Sequence, residues 1–387
     1  MAILAWLLVG VAAVPVLVLA AECVAAAAGR PDDMVPGVAP PFAVIMPAHD
    51  EAGGIARSIT AALAQLRPGD RLIVVADNCS DDTAAVARGL GAEVVERYSA
   101  DLRGKGFALA AGRAALGPVP PPVVIVLDAD CIPAAGALPR LAAEVARTGA
   151  VVQACYLLSS REMPGPGAQI SNFAFAVKNL VRQRGLGRLG APALLQGTGM
   201  GFPAAWFDVR RLASASLVED MELGLGLVLA GHRVRFLESA LFTSAASARD
   251  ATMTQRTRWE HGSIVTGWRH APALVTAALR GRPALLLLAL DLIVPPLALL
   301  AGLLAVALLV GAVVALAGGG AGPLLGGLAV AGLFVASIGL AWRLVGREFV
   351  AARTLLRVPG YMLWKLPIYG RLLVDRQRAW VRTRRDA

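Results

Sequence analysis

Hydrophobic positions along this chain follow three different patterns. Residues 2–21 carry no charge, and the apolar run reaches Ala28 with Glu22 as its one interruption. That is long enough for a helix to cross a hydrocarbon core of about 30 Å. From Phe42 onward, short apolar runs alternate with stretches of helical periodicity. Phe42–Met46, Leu72–Ala76, Ala92–Val95 and Val123–Leu127 read as strands, the first ended by Pro47. Ile55, Ile59, Leu63 and Leu66 recur at helical spacing, and Pro68-Gly69 closes that helix. Continuously apolar strands separated by helices predict a parallel sheet covered on both faces. In the third pattern, Pro283 to Trp342 contains no Lys or Arg, and Asp291 is its only charge. Pro295-Pro296 and the run Gly318–Pro323 divide it into an interfacial or broken segment at 284–294 and spanning helices near 296–317 and 323–343.

These patterns predict an N-terminal transmembrane helix (1–28), a Pro-rich linker (29–41), an α/β domain (42–270), an interfacial segment with a transmembrane hairpin (284–345) and a basic tail (346–387). A cleaved signal peptide needs a basic n-region, and no basic residue precedes Arg30. The glycine turn lacks basic residues and is expected outside. The arginine-rich tail is expected in the cytoplasm by the positive-inside rule. The result is a three-span inner-membrane protein with a cytoplasmic α/β domain.

Composition agrees with this division. Hydrophobic residues make up 57% and charged residues 17% of the chain, too apolar for an ordinary soluble enzyme. The net charge is +10, but no aromatic-interleaved basic motif supports nucleic-acid binding. Much of the excess lies at 347–385, where arginines alternate with Leu, Trp, Tyr and Val. That suits a helix on anionic membrane lipids, with Trp364, Tyr369 and Trp380 at headgroup level. Cys23, Cys79, Cys131 and Cys155 show no metal-ligand spacing and read as free thiols.

Ligands of open α/β sheets bind beyond the carboxyl ends of the strands. His49-Asp50-Glu51, Asp77, and Asp128 with Asp130 fall there. No GxGxxG or GxxxxGK[ST] motif opens a helix, which takes most of the weight from the dinucleotide and P-loop readings. Asp128-Ala129-Asp130 is either a plain strand-end turn or a pair of hard oxygen ligands for a divalent cation. Asp77 is followed by Ser80 and Asp81, either of which can cap the next helix. Lys105, in Arg103-Gly104-Lys105-Gly106, is one of three lysines in an arginine-dominated chain. It is a point charge suited to phosphate, or a solvated helix start. Glu219-Asp220 either serves the dipole of a helix start or supplies a carboxylate base. Gln255 and Trp259 are i and i+4 on one helical face, with Arg258 beside them.

In this order, Asp77, Asp128-x-Asp130, Glu219-Asp220 and Gln255-Arg256-Thr257-Arg258-Trp259 resemble the D, DxD, ED, QxxRW series of membrane-bound family 2 glycosyltransferases. That group includes cellulose, chitin and hyaluronan synthases, and the resemblance spans roughly residues 40–270. It implies a GT-A nucleotide-diphospho-sugar transferase domain with N-terminal and C-terminal transmembrane helices. It implies a UDP-sugar donor bound by Pro47, Glu51, Asp77, Lys105 and Asp128, with Mg2+ or Mn2+ on Asp128 and Asp130. Here the family more often has two adjacent acids where this chain has Asp77-Asn78. His49 matches the family's first loop with either a structural or a functional role. The resemblance implies that Asp220 is the catalytic base, Glu219 an orienting neighbour and Arg258 a stabiliser of the leaving diphosphate. Gln255, Trp259, Gly197, Thr198 and Gly199 then line the acceptor side, although turns needing positive φ also explain the glycines. The implied reaction is inverting transfer to a lipid or glycan acceptor, with other envelope-biosynthesis proteins as possible partners. A sugar nucleotidyltransferase would need a Gly-rich loop after the first strand, where this chain reads Pro47–Ala52. An inactive membrane scaffold has no reason to keep every motif acid.

Overall fold

The computed structural model describes residues 1–29, 37–159, 165–212, 218–245 and 249–362, with the side chains of 210–211 and 249–259 outside the description. The basic tail therefore lies outside the described residues from 363 onward. The chain divides into two compact units. One is a sheet unit of residues 37–159, 192–212, 218–245 and 249–255. The other is a helical unit of residues 1–29, 165–191 and 256–362, so it takes in a segment that lies within 42–270 in sequence.

The sheet unit is built on β1 (Phe42–Ala48), β2 (Arg71–Asp77), β3 (Glu93–Arg97), β4 (Val123–Val126), β5 (Cys131–Pro133), β6 (Val151–Leu158), β7 (Met200–Pro203) and β8 (Val234–Ser244). Their order is β3-β2-β1-β4-β7-β6-β8-β5. The half made of β3, β2, β1 and β4 is parallel, as the apolar runs predict. The other half is mixed: β7 runs antiparallel to both β4 and β6, and β5 antiparallel to β8. Sequence reading finds only the four strands of the parallel half and misses β5, β6, β7 and β8; of these, β5 and β7 are three and four residues long and lack a β-branched run.

Two boundaries also differ from expectation. Pro47 does not end β1, and pairs with Val75 inside it. The Ile45 carbonyl accepts from Leu127 N–H, so alternate residues 43, 45 and 47 face β4. The last β1–β4 pair is Ile45 with Val126. The donor that Pro47 lacks thus falls where β4 has already ended, and the proline is tolerated. The first helix of the unit runs Ile55–Leu63, short of Leu66. Gln65 and Leu66 N–H bond to carbonyls three residues back, tightening the end into a turn.

The core lies between the sheet and its helices. Phe42, Ile45, Ile73 and Ile125 are fully buried, as are Ile55 and Ile59 of the first helix. Burying a side chain of this size contributes about 1.5–3 kcal/mol. The helix Lys105–Ala115 approaches β1 so closely that a Cβ on Gly112 would lie 2.5 Å from Ile45 Cγ2. That approach places Lys105, at the start of the helix, near the carboxyl ends of the strands.

In the helical unit, Ala2–Ala27, Leu297–Leu316 and Gly322–Leu344 are long and apolar enough to cross a membrane. Ala284–Leu292 precedes them as a separate short helix, and the turn between the last two uses Gly318 and Gly320 at positive φ. The first of these helices packs on both of the others, with the Trp6 ring against Gly322 and Gly326. A helix from Gly165 passes through a π turn, Val177–Arg182, and continues to Arg188. Arg188 donates to the Ala25 and Ala26 carbonyls, satisfying the end of the N-terminal helix. Arg182 donates to Glu22 Oε2 at 3.0 Å, and to Asp291 Oδ1 at 2.5 Å and Asp291 O at 2.8 Å.

Candidate active site

Because β1, β2 and β4 are parallel, the segments after them emerge at one edge of the sheet. β7 runs against β4, with Met200 opposite Val126, so the residues just before β7 reach the same edge. This brings Gly197-Thr198-Gly199 beside Asp128, 70 residues away in sequence at Thr198. Gly199 N–H bonds the Val126 carbonyl at 2.9 Å, and Asp128 N–H bonds the Thr198 hydroxyl at 3.0 Å. Gln153, buried on β6, holds the loop from behind: its amide donates to Thr198 O at 2.9 Å and accepts from Gln196 N–H at 2.9 Å. Gly197 and Gly199 have φ of +89° and +63°, so the turn requires them.

A charged cluster forms in front of this loop. Lys105 Nζ lies 2.5 Å from Asp128 Oδ1, donates to the Gly197 carbonyl at 2.7 Å, and stands 3.9 Å from Glu219 Oε1. Glu219 and Asp220 open the helix Glu219–Leu229, whose free N–H groups favour negative charge. With Gly106, Leu109, Met200, Leu212 and Leu223 they line a pocket. A side chain on Gly197 would fill the space between these groups. Its Cβ would lie 3.3 Å from Lys105 Nζ, 3.4 Å from Asp220 Oδ2 and 3.9 Å from Asp128 Oδ2.

Burial alone would pull the Lys105 ammonium down, but Asp128 and then Glu219 outweigh it and hold it above its ordinary value. Burial pushes the Glu219 carboxyl up to about 7, against the attraction of Lys105 and with a further push from Asp220. The buried Cys131 thiol and Tyr156 hydroxyl are raised well above their ordinary values, first by burial and next by the Asp130 charge.

The loops after β1 and β2 are stapled together. His49 Nδ1 lies 2.7 Å from the Asp77 carbonyl, and Glu51 N–H donates to the Thr83 hydroxyl at 2.8 Å. Asp50, at φ +52°, accepts from Ser80 N–H at 2.6 Å. Asp81 accepts from Ala52 N–H and Thr83 N–H, each at 3.0 Å. Neither candidate is the cap of the helix Thr83–Gly89, a position taken by Asp82: Asp81 accepts from the Thr83 N–H beside it, while Ser80 turns to Asp50. Asp77 is nearly buried and paired with Arg97 at 2.5 Å, and it also accepts from Asn78 Nδ2 at 3.0 Å.

Sequence reading places Pro47, Glu51, Asp77, Asp128 and Asp130 at this edge, and the structure adds Lys105, Gly197, Thr198, Glu219 and Asp220 to the same end of the sheet unit. The side chains of Gln255, Arg258 and Trp259 lie outside the described residues, though their backbone is helical. Arg97 and Gln153 are missed by sequence reading. Arg97 ends an edge strand and Gln153 sits inside an apolar one, and neither belongs to a motif.

Two carboxylates one residue apart suit a hard divalent ion that takes its other ligands from phosphate and water. Among the described residues, the one close trio of candidate ligand atoms is Asp50, Cys79 and Asp81. Both of its carboxylates already accept backbone N–H groups, so that trio reads as the loop staple.

The sequence model described as glycosyltransferase like family 2 matches residues 40–262. Uncharacterised glycosyltransferases of Mycobacterium bovis and Mycobacterium tuberculosis are 40% identical over 102 residues, 26% of this chain and 42% of theirs. The match therefore spans less than half the length of those curated relatives. Among solved structures, the mannosyltransferase PcManGT from Pyrobaculum calidifontis, in complex with GDP-Man and Mn2+, shares the fold with a TM-score of 0.57 at 18% identity. That likeness covers 95% of this chain and 100% of the other. The fold is thus that of an α/β, GT-A-type glycosyltransferase with apolar helices at its N- and C-terminal sides. The chain belongs to glycosyltransferase family 2.

Proposed function

We propose that this protein is an inverting glycosyltransferase that moves a sugar from a UDP-sugar to a lipid-linked or glycan acceptor at the cytoplasmic face of the inner membrane. The observation that carries this reading is the convergence of an ammonium and two carboxylates on the open face of Gly197. That space offers a base for an acceptor hydroxyl and a cation for a departing diphosphate within one side-chain width.

Asp220 accepts the acceptor's hydroxyl proton as the oxygen attacks the anomeric carbon, and the bond from that carbon to the diphosphate breaks with the electron pair leaving on UDP. Glu219, held near neutral protonation by burial, keeps a second full charge away from Asp220. Lys105 receives negative charge on the leaving group. A divalent Mg2+ or Mn2+ on Asp128 and Asp130 would supply further positive charge there. The loop Gly197–Gly199, braced by Gln153, fixes the acceptor side. Pro47, Glu51 and Asp77 face the nucleoside, with Arg97 orienting Asp77. The resemblance adds Arg258 at the diphosphate and Gln255 with Trp259 at the acceptor.

The test is nucleoside-diphosphate release by the full-length protein in membranes or detergent, with a panel of UDP- and GDP-sugars and product analysis. Release is expected with a UDP-sugar, abolished by EDTA and restored by Mn2+ or Mg2+. Release of GDP alone would overturn the donor, and full activity in chelator would overturn the metal. Placement is tested in a background stripped of its own thiols. Gly320→Cys should react with an impermeant reagent in intact cells and Asp386→Cys should not. The reverse labelling would strand the site away from cytoplasmic donors.

A further inference from the structure

We infer that Lys105 is a resident counter-ion that keeps a divalent metal off Asp128 until the donor's diphosphate draws the ammonium away, so that metal and nucleotide bind as one coupled event. This inference rests on the donor and metal reading above. Its geometric basis is the 2.5 Å contact between Lys105 Nζ and Asp128 Oδ1. A metal bound through that oxygen would sit about 2.0–2.1 Å from it. An ammonium against the same oxygen opposes such an ion by both volume and like charge.

The ligand count points the same way. Asp128 and Asp130 together leave most of an octahedral shell to be filled from outside. Without nucleotide, an entering ion would break an existing ion pair and gain only these carboxylates in exchange for some of its water. A diphosphate changes both sides of that exchange: its oxygens complete the metal's shell and offer the displaced ammonium a new anionic partner.

Lys105 is built to make the move. It follows Gly104, at φ +127°, and begins the helix Lys105–Ala115, so its backbone is fixed while the rotatable bonds of its four-carbon stem offer the ammonium more than one position. Its second strong contact is the neutral carbonyl of Gly197, at 2.7 Å. When Asp128 is surrendered, that carbonyl can keep the ammonium at the loop, beside the space where the reacting groups converge. The third neighbour, Glu219 at 3.9 Å, is beyond hydrogen-bond length and leaves donor capacity for phosphate.

The experiment is Mn2+ binding to purified full-length protein, read by the electron paramagnetic resonance of free Mn2+, with and without saturating UDP. Wild type should bind Mn2+ weakly alone and at least tenfold more tightly with UDP. Lys105→Gln, which keeps a hydrogen-bonding end without the charge, should bind Mn2+ at least tenfold more tightly than wild type in the absence of nucleotide. UDP should then add less to its affinity, and Lys105→Arg should stay weak. Equal affinity with and without UDP in wild type overturns the inference by itself, should the variants fail to fold. Nucleotide-free affinity unchanged in a folded Lys105→Gln overturns it while leaving the metal assignment intact. No Mn2+ binding by wild type even with UDP removes the metal reading and this inference together.

Discussion

Lys105 and Arg182 each stand between carboxylates, but at different depths. Lys105 and Asp128 keep 22% and 30% of their side chains exposed, whereas Arg182, Glu22 and Asp291 keep 9%, 2% and 2%. A pair that keeps some contact with water can exchange partners at a lower cost than one sealed from it. In the helical unit, the guanidinium instead forks between two helices, with Nε on Glu22 and Nη2 on Asp291. A planar fork with fixed directions holds geometry, where an ammonium on a flexible stem permits rearrangement. In the second cluster Glu22 Oε1 is itself buried and, among the described residues, has no hydrogen-bond partner. A Cβ on Gly185 would collide with the Glu22 carbonyl, so the helices meet there backbone to backbone. The same charge types thus serve exchange in one unit and fixity in the other.

The contrast can be broken experimentally, and the largest effect is expected at the sheet unit's site. Asp220→Asn keeps the shape but removes the proton acceptor, and should lower turnover by roughly 10²–10⁴ with an unchanged unfolding midpoint. Turnover near wild type would place the base elsewhere. Next is Arg182→Gln, which leaves two buried carboxylates without their cation and should cost about 3–5 kcal/mol of stability, read by thermal unfolding in detergent. If the midpoint does not move, the triad is not the fixed element described above.

A smaller effect is expected from pH on the ligand-free protein. Burial keeps Glu219 protonated in the folded chain up to about 7, whereas it ionises near 4.5 once unfolded. Folding therefore takes up a proton between those values, and this contribution to stability is complete below 4.5 and is lost as the pH rises through 7. Glu219→Gln should flatten that part of the stability–pH curve between pH 5 and 8, and an identical curve would show that the carboxyl titrates normally. The smallest effect is expected from a control pair outside both clusters. Arg71 and Glu93 bond through two contacts of 2.8 Å and 2.7 Å on the surface, and Glu93→Gln should change stability by only about 0.2–1 kcal/mol. A larger loss would mean that burial is not what separates the two clusters.

Much of this architecture is legible in one dimension because it rests on local pattern. The long apolar runs give the helices Ala2–Ala27, Leu297–Leu316 and Gly322–Leu344 almost to the residue, since a membrane-length apolar run has few other solutions. Asp77 and the Asp128–Asp130 pair are legible because each follows a buried strand. Pro47 misleads because the rule that proline ends a strand depends on which neighbour its missing N–H would have faced. That neighbour, β4, is known only once the sheet is assembled.

The apolar runs, the parallel half of the sheet and the acids at its edge each depend on residues near one another in the chain, and so can be read along it. That β7 runs against β4, that Lys105, Asp128 and Asp220 converge on Gly197, and that Arg182 joins Glu22 to Asp291 emerge only on folding. Those partners lie 92 residues apart for Lys105 and Gly197 and 160 for Arg182 and Glu22. No local period encodes such a pairing. It follows from strand order and helix packing, which set where each backbone segment ends and therefore which charges must share the same small volume.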